Sequence, residues 1–216
     1  MFQPATRFRG LSVMDFHGAR QSERFMLWVD AVGGFWVCTG DALVLGQPVH
    51  SGPVDIPILG DISGRHARIR RDEEGYLIEA IREVRLDGRK VDKMDVLADG
   101  SEITLGEAVR LVFRRPHALS ATARLDFLSH HRTQPSADAV LLMADALILG
   151  PNPRSHVVCR DWPRELVLCR HEGRLLCRTA GPLEIDGTTY KDRGYVTPNS
   201  RVEGKGFSFS LEEIGG

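Results

Sequence analysis

Four consecutive residues, Ser63-Gly64-Arg65-His66, carry the side chains of this sequence best suited to chemistry. A phosphate dianion is held by fixed N–H and O–H donors and by positive charge. A serine hydroxyl, an arginine fork and a glycine that lets the backbone turn sharply supply these features. Arg85 precedes the turn residues Asp87-Gly88 and could reach the same loops. The pattern favours an anion site, and the simpler alternative is an ordinary turn before a strand.

Ser63 and His66 could also be the nucleophile and base of a hydrolase. No Gly-x-Ser-x-Gly elbow surrounds Ser63, and no third residue is placed to orient His66. Nucleophilic catalysis is therefore the least favoured interpretation, and we expect a protein that is not an enzyme and has no catalytic residue.

A second set of candidate ligands lies later in the chain and consists of His156, Cys159, Cys169, His171 and Cys177. Thiolate and imidazole pairs at short spacing can bind zinc, but the first pair lacks the usual turn of a zinc knuckle. The four cysteines of the chain are also too dispersed for a disulfide framework. We interpret them as buried thiols and expect neither a metal nor another cofactor.

Short strands must position these residues. Apolar and polar residues alternate along the chain, most clearly in residues 206–211, and turn-forming pairs such as Gly33-Gly34 and Asp99-Gly100 separate the apolar runs. Many short strands at close spacing are typical of a β-sandwich. The sequence therefore predicts an all-β fold.

An internal repeat divides the chain. Residues 41–46 (Asp-Ala-Leu-Val-Leu-Gly) return as residues 145–150 (Asp-Ala-Leu-Ile-Leu-Gly), and weaker echoes continue downstream. The repeat predicts two tandem antiparallel β-sandwiches over residues 24–114 and 123–214. Residues 1–23 lie outside both copies and form an N-terminal extension.

Composition excludes several classes of partner. The 216 residues include 28 lysines and arginines against 29 aspartates and glutamates, so no global charge attracts nucleic acid or an anionic membrane. The longest apolar runs, such as residues 139–144, are far shorter than the roughly 20 residues that span a bilayer. The N-terminus has no apolar core of signal-peptide length, so we expect a cytoplasmic protein.

The ordered motifs of the first copy resemble a forkhead-associated (FHA) domain, a family of β-sandwiches that bind phosphothreonine peptides. Residues 43–46 resemble the strand that ends in Gly-Arg, residues 61–69 resemble the Ser-x-x-His segment, and residues 97–106 resemble the late turn and strand. Asp87-Gly88 stands where the family has Asn-Gly. The likeness covers residues 25–114, and the second copy follows it only in outline.

The resemblance implies that Gln47, Ser63, Gly64, Arg65, Arg85, Asp87 and Gly88 form a phosphopeptide-binding end. It also implies that Gly46 and His66 are structural, with the His66 ring tying loops together by hydrogen bonds. Two departures weaken this site, because Gln47 replaces the family's arginine and the Asp87 carboxylate would repel a phosphate. In the second copy Pro151 follows Gly150, and the residues at 161–166 retain no phosphate site.

We therefore expect a non-catalytic protein-interaction module of signalling type. Two versions stay open: one recognises phosphothreonine on a protein partner through the first copy, and the other is a scaffold or assembly protein that binds unphosphorylated partners.

Overall fold

The computed structural model describes residues 23–48, 54–117 and 119–214, and these residues form 23 strands and no helix. The predicted all-β fold is confirmed. Among the described residues, nothing forms a helix long and apolar enough to cross a membrane. Of the predicted N-terminal extension, residues 1–22 lie outside the described residues.

The strands of the first repeat are β1 Arg24–Val29, β2 Gly33–Cys38, β3 Ala42–Gly46, β4 Ile56–Leu59, β5 Ala67–Arg71, β6 Tyr76–Ala80, β7 Val84–Leu86, β8 Arg89–Lys90, β9 Met94–Leu97, β10 Glu102–Leu105 and β11 Val109–Arg114. Those of the second repeat are β12 Ala123–Phe127, β13 Arg132–Thr133, β14 Ala139–Leu142, β15 Ala146–Gly150, β16 Val157–Val158, β17 Leu166–His171, β18 Arg174–Thr179, β19 Leu183–Ile185, β20 Thr188–Tyr190, β21 Arg193–Val196, β22 Arg201–Gly204 and β23 Phe207–Glu213.

These strands form one large sheet and two small ones. The large sheet has twelve strands in the order β20-β19-β22-β23-β1-β2-β14-β12-β11-β10-β7-β8. The small sheets have the orders β13-β4-β3-β5-β6-β9 and β16-β15-β17-β18-β21. In each small sheet, β3 or its counterpart β15 lies between a parallel and an antiparallel neighbour. The repeat seen in the sequence is therefore a repeat of strand order.

The first strand of each repeat pairs with the last strand of the other repeat. β1 pairs with β23, the last strand of the second repeat, and β12 pairs with β11, the last strand of the first. β2 and β14 then join the halves by parallel pairing. The structure does not confirm two separately closed tandem sandwiches, because one sheet is continuous through both repeats. Consecutive strands usually become neighbours, so β12 takes the edge of β11 and leaves the edge of β23 to β1.

Two cores lie on opposite faces of the large sheet. In β1, Phe25 and Leu27 pack in the core of the second small sheet, whereas Met26 between them packs in the core of the first. Trp36 and Val37 of β2 are divided in the same way. Strands covered on both faces need continuous rather than alternating apolar sequence, which explains the uninterrupted run at residues 139–144.

Candidate functional site

Gly46 brings the end of β3 against the loop that contains Ser63. A Cβ atom at position 46 would collide with the carbonyl group of Gly64, so the close approach requires glycine. The backbone N–H of Gln47 donates to the carbonyl oxygen of Ser63 over 3.1 Å. The structure thus places Gly46, Gln47, Ser63 and Gly64 side by side.

His66 fastens this loop to the loop between β6 and β7 and to strand β3. Its ring is buried, with 4% of the residue exposed. Nδ1 accepts the backbone N–H of Ser63 at 3.1 Å, which leaves Nε2–H to donate to the carbonyl oxygen of Glu83 at 2.8 Å. The His66 carbonyl oxygen accepts the N–H of Arg82 at 2.9 Å, and its own N–H donates to Leu45 at 2.8 Å. The imidazole therefore holds the loop before β5 against the loop between β6 and β7.

The outer surface of these loops offers free donors. Ser63 is half-buried, and Gln47 and Arg65 are exposed. Among the described residues, neither the Ser63 hydroxyl nor the Arg65 guanidinium has a hydrogen-bond partner. A hydroxyl and a guanidinium two residues apart in one loop can bind an oxyanion.

Arg82 belongs to the same loop end, and the sequence analysis missed it. Its side chain is exposed, and its backbone N–H contacts the His66 carbonyl oxygen. The sequence feature that could have identified Arg82 is its place in the short segment between two apolar runs, residues 76–80 and 84–86. The Asp87-Gly88 dipeptide has the stronger turn signature, so the sequence pattern favoured it over that segment.

Asp87 and Gly88 lie elsewhere, which corrects the expectation that they join the phosphate site. They form the two-residue turn between β7 and β8, with φ angles of 51° and 79°. Asp87 is four residues beyond Glu83, which is about 13 Å along an extended strand. Its Oδ1 accepts the backbone N–H of Glu102 at 2.8 Å. The Asp87 carboxylate therefore lies at the opposite end of β7 from Glu83, the residue that the His66 ring contacts.

Arg85 is already engaged in an ion pair. Its neighbours Val84 and Leu86 are buried in the core, so Arg85 lies on the opposite face of the large sheet. Its guanidinium forms an ion pair with Glu83 at 3.0 Å. The Arg85 guanidinium is therefore paired beside the loop between β6 and β7, and the structure shows no contact between it and Ser63 among the described residues.

The second repeat has a different loop end. Leu166 begins β17 as Ala67 begins β5, so Glu165 takes the place of His66. Trp162 is 6% exposed, and its ring lies 5.5 Å from that of Phe207. A cleft of about 1210 Å³ opens here between Trp162, Pro151, Pro153 and the β1–β2 turn. Apolar rings and prolines thus replace the hydroxyl, glycine and imidazole of the first repeat.

His156 has a structural counterpart in the first repeat. Its Nδ1 accepts the backbone N–H of Ile148 in β15 at 2.9 Å, as the Asp55 carboxylate accepts that of Val44 in β3 at 2.8 Å. Burial, together with the nearby His117, lowers the pKa of His156 to about 4. The neutral ring has a buried Nε2 without a partner among the described residues.

The four cysteines are free thiols. Cys38, Cys159 and Cys177 are buried, and burial raises the pKa of each to about 12. Cys169 is half-buried, and its Sγ lies 3.5 Å from the carbonyl oxygen of Leu176. Within the described ranges, no three side chains of histidine, cysteine, aspartate or glutamate are grouped as metal ligands.

No protein-family model, curated protein or solved structure matches this chain.

Proposed function

We propose that this protein is a non-catalytic interaction module that binds phosphothreonine on a protein partner through the loop end of its first repeat. One observation carries the proposal: Gly46 and His66 hold the Ser63-Gly64-Arg65 turn, while the hydroxyl and the guanidinium of that turn have no partner among the described residues. The resemblance of residues 25–114 to FHA domains supports the same ligand. Gln47 and Arg82 flank the turn and add further donors.

The hydrogen bonds of His66 argue against catalysis at this place. Nδ1 already accepts a backbone N–H, and Nε2 faces a backbone carbonyl oxygen. A general base must reach the proton that it removes, and neither ring nitrogen is available to the Ser63 hydroxyl.

Affinity for phosphate is expected to be weak, because Gln47 stands where the family has arginine. A hydrogen bond to a charged group contributes about 1.5–3 kcal/mol. Replacing the guanidinium by a neutral amide therefore weakens binding roughly ten- to a hundredfold.

The test compares a phosphothreonine peptide library with its unphosphorylated twin by fluorescence anisotropy. Gln47→Arg should strengthen phosphopeptide binding roughly ten- to a hundredfold, and Ser63→Ala in that background should reverse the gain. Pro151→Arg, at the corresponding position of the second repeat, adds the same charge and should change nothing. If Gln47→Arg produces no preference for the phosphorylated library, the proposal is wrong.

A second candidate function is docking of an unphosphorylated partner, and the cleft beside Trp162 favours it. The cleft is lined by Pro151, Pro153, Val158 and Phe207, and Val32 of the β1–β2 turn lies at its edge. Val32 is 37% exposed, so a charge there is compatible with folding. Equal binding of both libraries, lost in Val32→Glu and retained in Ser63→Ala, would favour this function over phosphate recognition.

A further inference from the structure

A second cleft lies where the two repeats join. Its volume is about 600 Å³, and the ends of β11 and β12 meet there with the segment that precedes β16. The charged side chains in its lining are Asp99, Arg114, Arg115, Arg124, Asp126 and Asp138. Three arginines and three aspartates balance formally, so the groups already paired decide what the cleft can bind.

All three aspartates are engaged within the protein. Asp99 Oδ1 accepts the backbone N–H of Arg115 at 2.8 Å, and Asp138 Oδ2 accepts that of Gly34 at 2.8 Å. Asp126 pairs with the Nε of Arg124 at 2.6 Å. Arg124 neutralises Asp126, whereas Asp99 and Asp138 keep their negative charge and use an oxygen to fix a loop or a strand.

Two of the three arginines are not engaged. Arg124 donates to Asp126 and to the carbonyl oxygen of His156 at 3.1 Å, and its guanidinium lies 5.5 Å from the centre of the Phe35 ring. The guanidinium groups of Arg114 and Arg115 are exposed, and over the described part of the chain neither has a hydrogen-bond or ion-pair partner. The guanidinium donors of Arg114 and Arg115 are therefore available to a ligand in the cleft.

The second repeat shows that the fold does not require Arg114 and Arg115 at the end of β11. The corresponding end of β23 carries Glu212 and Glu213, the opposite charge. The backbone there is held similarly, because the N–H of Glu213 donates to Asn199 Oδ1 at 3.2 Å as that of Arg115 does to Asp99. The same strand end thus forms with either charge, so folding alone does not account for the arginine pair.

We propose that this cleft binds a small molecule through its phosphate or carboxylate group, held by Arg114 and Arg115. Guanidinium forks match the geometry of such oxyanions. A volume of about 600 Å³ also lies within the range of roughly 300–1,000 Å³ that small-molecule sites occupy. Ser155, also in the lining, has a buried Oγ without a partner among the described residues. This site is separate from the Ser63 loop and does not depend on phosphothreonine recognition.

The experiment measures the melting temperature of the full chain, and its ligand affinity by isothermal titration calorimetry. The probes are inorganic phosphate and citrate, each at an ionic strength matched with sodium chloride. A ligand of the native state raises the melting temperature in a saturable way. We expect saturable stabilisation by at least one probe. The double variant Arg114→Gln/Arg115→Gln should weaken it roughly tenfold or more. Preference for phosphate or for citrate identifies which oxyanion the cleft accepts.

The control variant Arg89→Gln/Lys90→Gln removes two exposed cations from β8, outside both proposed sites, and should leave this binding unchanged. An equal loss of binding in this control would overturn the proposal. Arg65→Gln/Arg82→Gln tests the Ser63 loop, and loss of binding in that variant but not in Arg114→Gln/Arg115→Gln would assign the anion to the Ser63 loop and overturn the proposal as well. Absence of saturable stabilisation by both probes would also overturn it. None of these results would alter the peptide-library comparison, so failure of this site is distinguishable from failure of phosphothreonine recognition.

Discussion

The two repeats share a strand order but differ at their loop ends. In the first repeat, His66 is buried and connects two loops through its ring nitrogens. In the second, exposed Glu165 occupies that position, and the buried histidine is instead His156, which takes the acceptor role of Asp55. Backbone pairing keeps the framework the same, whereas loop side chains are free to change. The difference shows that two copies of one framework can carry loop ends of different chemistry.

The largest effect should come from the strands that cross between the repeats. Leu27 is fully buried, and it lies opposite Leu211 of β23. Leu27→Ala should cost about 2–5 kcal/mol of the free energy of unfolding. In denaturant unfolding, its double-mutant cycle with Leu211→Ala should show a coupling of about 0.5–3 kcal/mol, because contacting residues are not additive.

The matched cycle combines Leu27→Ala with Leu111→Ala, since β11 is the last strand of the first repeat. Additivity within about 0.5 kcal/mol is expected for this pair. Strong coupling of Leu27 to Leu111 instead would mean that β1 pairs with β11, the last strand of its own repeat, and not with β23.

The next effect concerns the histidine of the second repeat. The pKa of His156 is lowered to about 4 in the folded protein, below the ordinary value of about 6.5, so the unfolded chain binds more protons between these values. Its contribution to stability is present above pH ~6.5 and is lost as pH falls toward 4, which amounts to about 3 kcal/mol. The free energy of unfolding measured against pH should show this slope.

His156→Asn should flatten the slope, because an amide oxygen can accept the Ile148 N–H without titrating. An unchanged slope in His156→Asn would show that another group titrates in this range.

The third effect compares equivalent positions directly. His66→Ala removes the acceptor of the Ser63 N–H and the donor to Glu83, which should cost about 1–3 kcal/mol. Glu165→Ala, at the exposed counterpart, should change stability by less than about 0.5 kcal/mol. Thermal unfolding without ligand measures both. Equal losses would remove the distinction between the two loop ends.

The smallest effect concerns a feature that the repeats share. Asp87 and Asp186 both have a φ of 51°, and each accepts a backbone N–H at 2.8 Å, from Glu102 and Arg201 respectively. Asparagine tolerates this backbone and can accept the same bond, so Asp87→Asn and Asp186→Asn should each change stability by less than about 0.5 kcal/mol. Asp87→Asn should also leave phosphopeptide binding unchanged, and a gain in affinity would place this turn in the binding site.

Part of the candidate site could be read from the sequence. Ser63, Gly64 and His66 are contiguous, so their proximity follows from chain connectivity, and Gly46 was identified by its place at the end of an apolar strand. Arg82 and Asp87 could not be placed in the same way. They lie at opposite ends of the three-residue strand β7, and a turn signature does not say at which end of the sandwich a turn lies.

The sequence by itself determined the all-β class and the repeated strand order, because period-two patterning and turn dipeptides act locally, within a few residues. Tertiary structure alone decided which first strand pairs with which last strand. β1 and β12 are similar enough that either could lie beside β11 or β23, and the short connection from β11 to β12 together with burial of both faces of β2 and β14 selects the crossed arrangement. The cleft at Arg114 and Arg115 depends on that choice, because it exists only where the two halves meet.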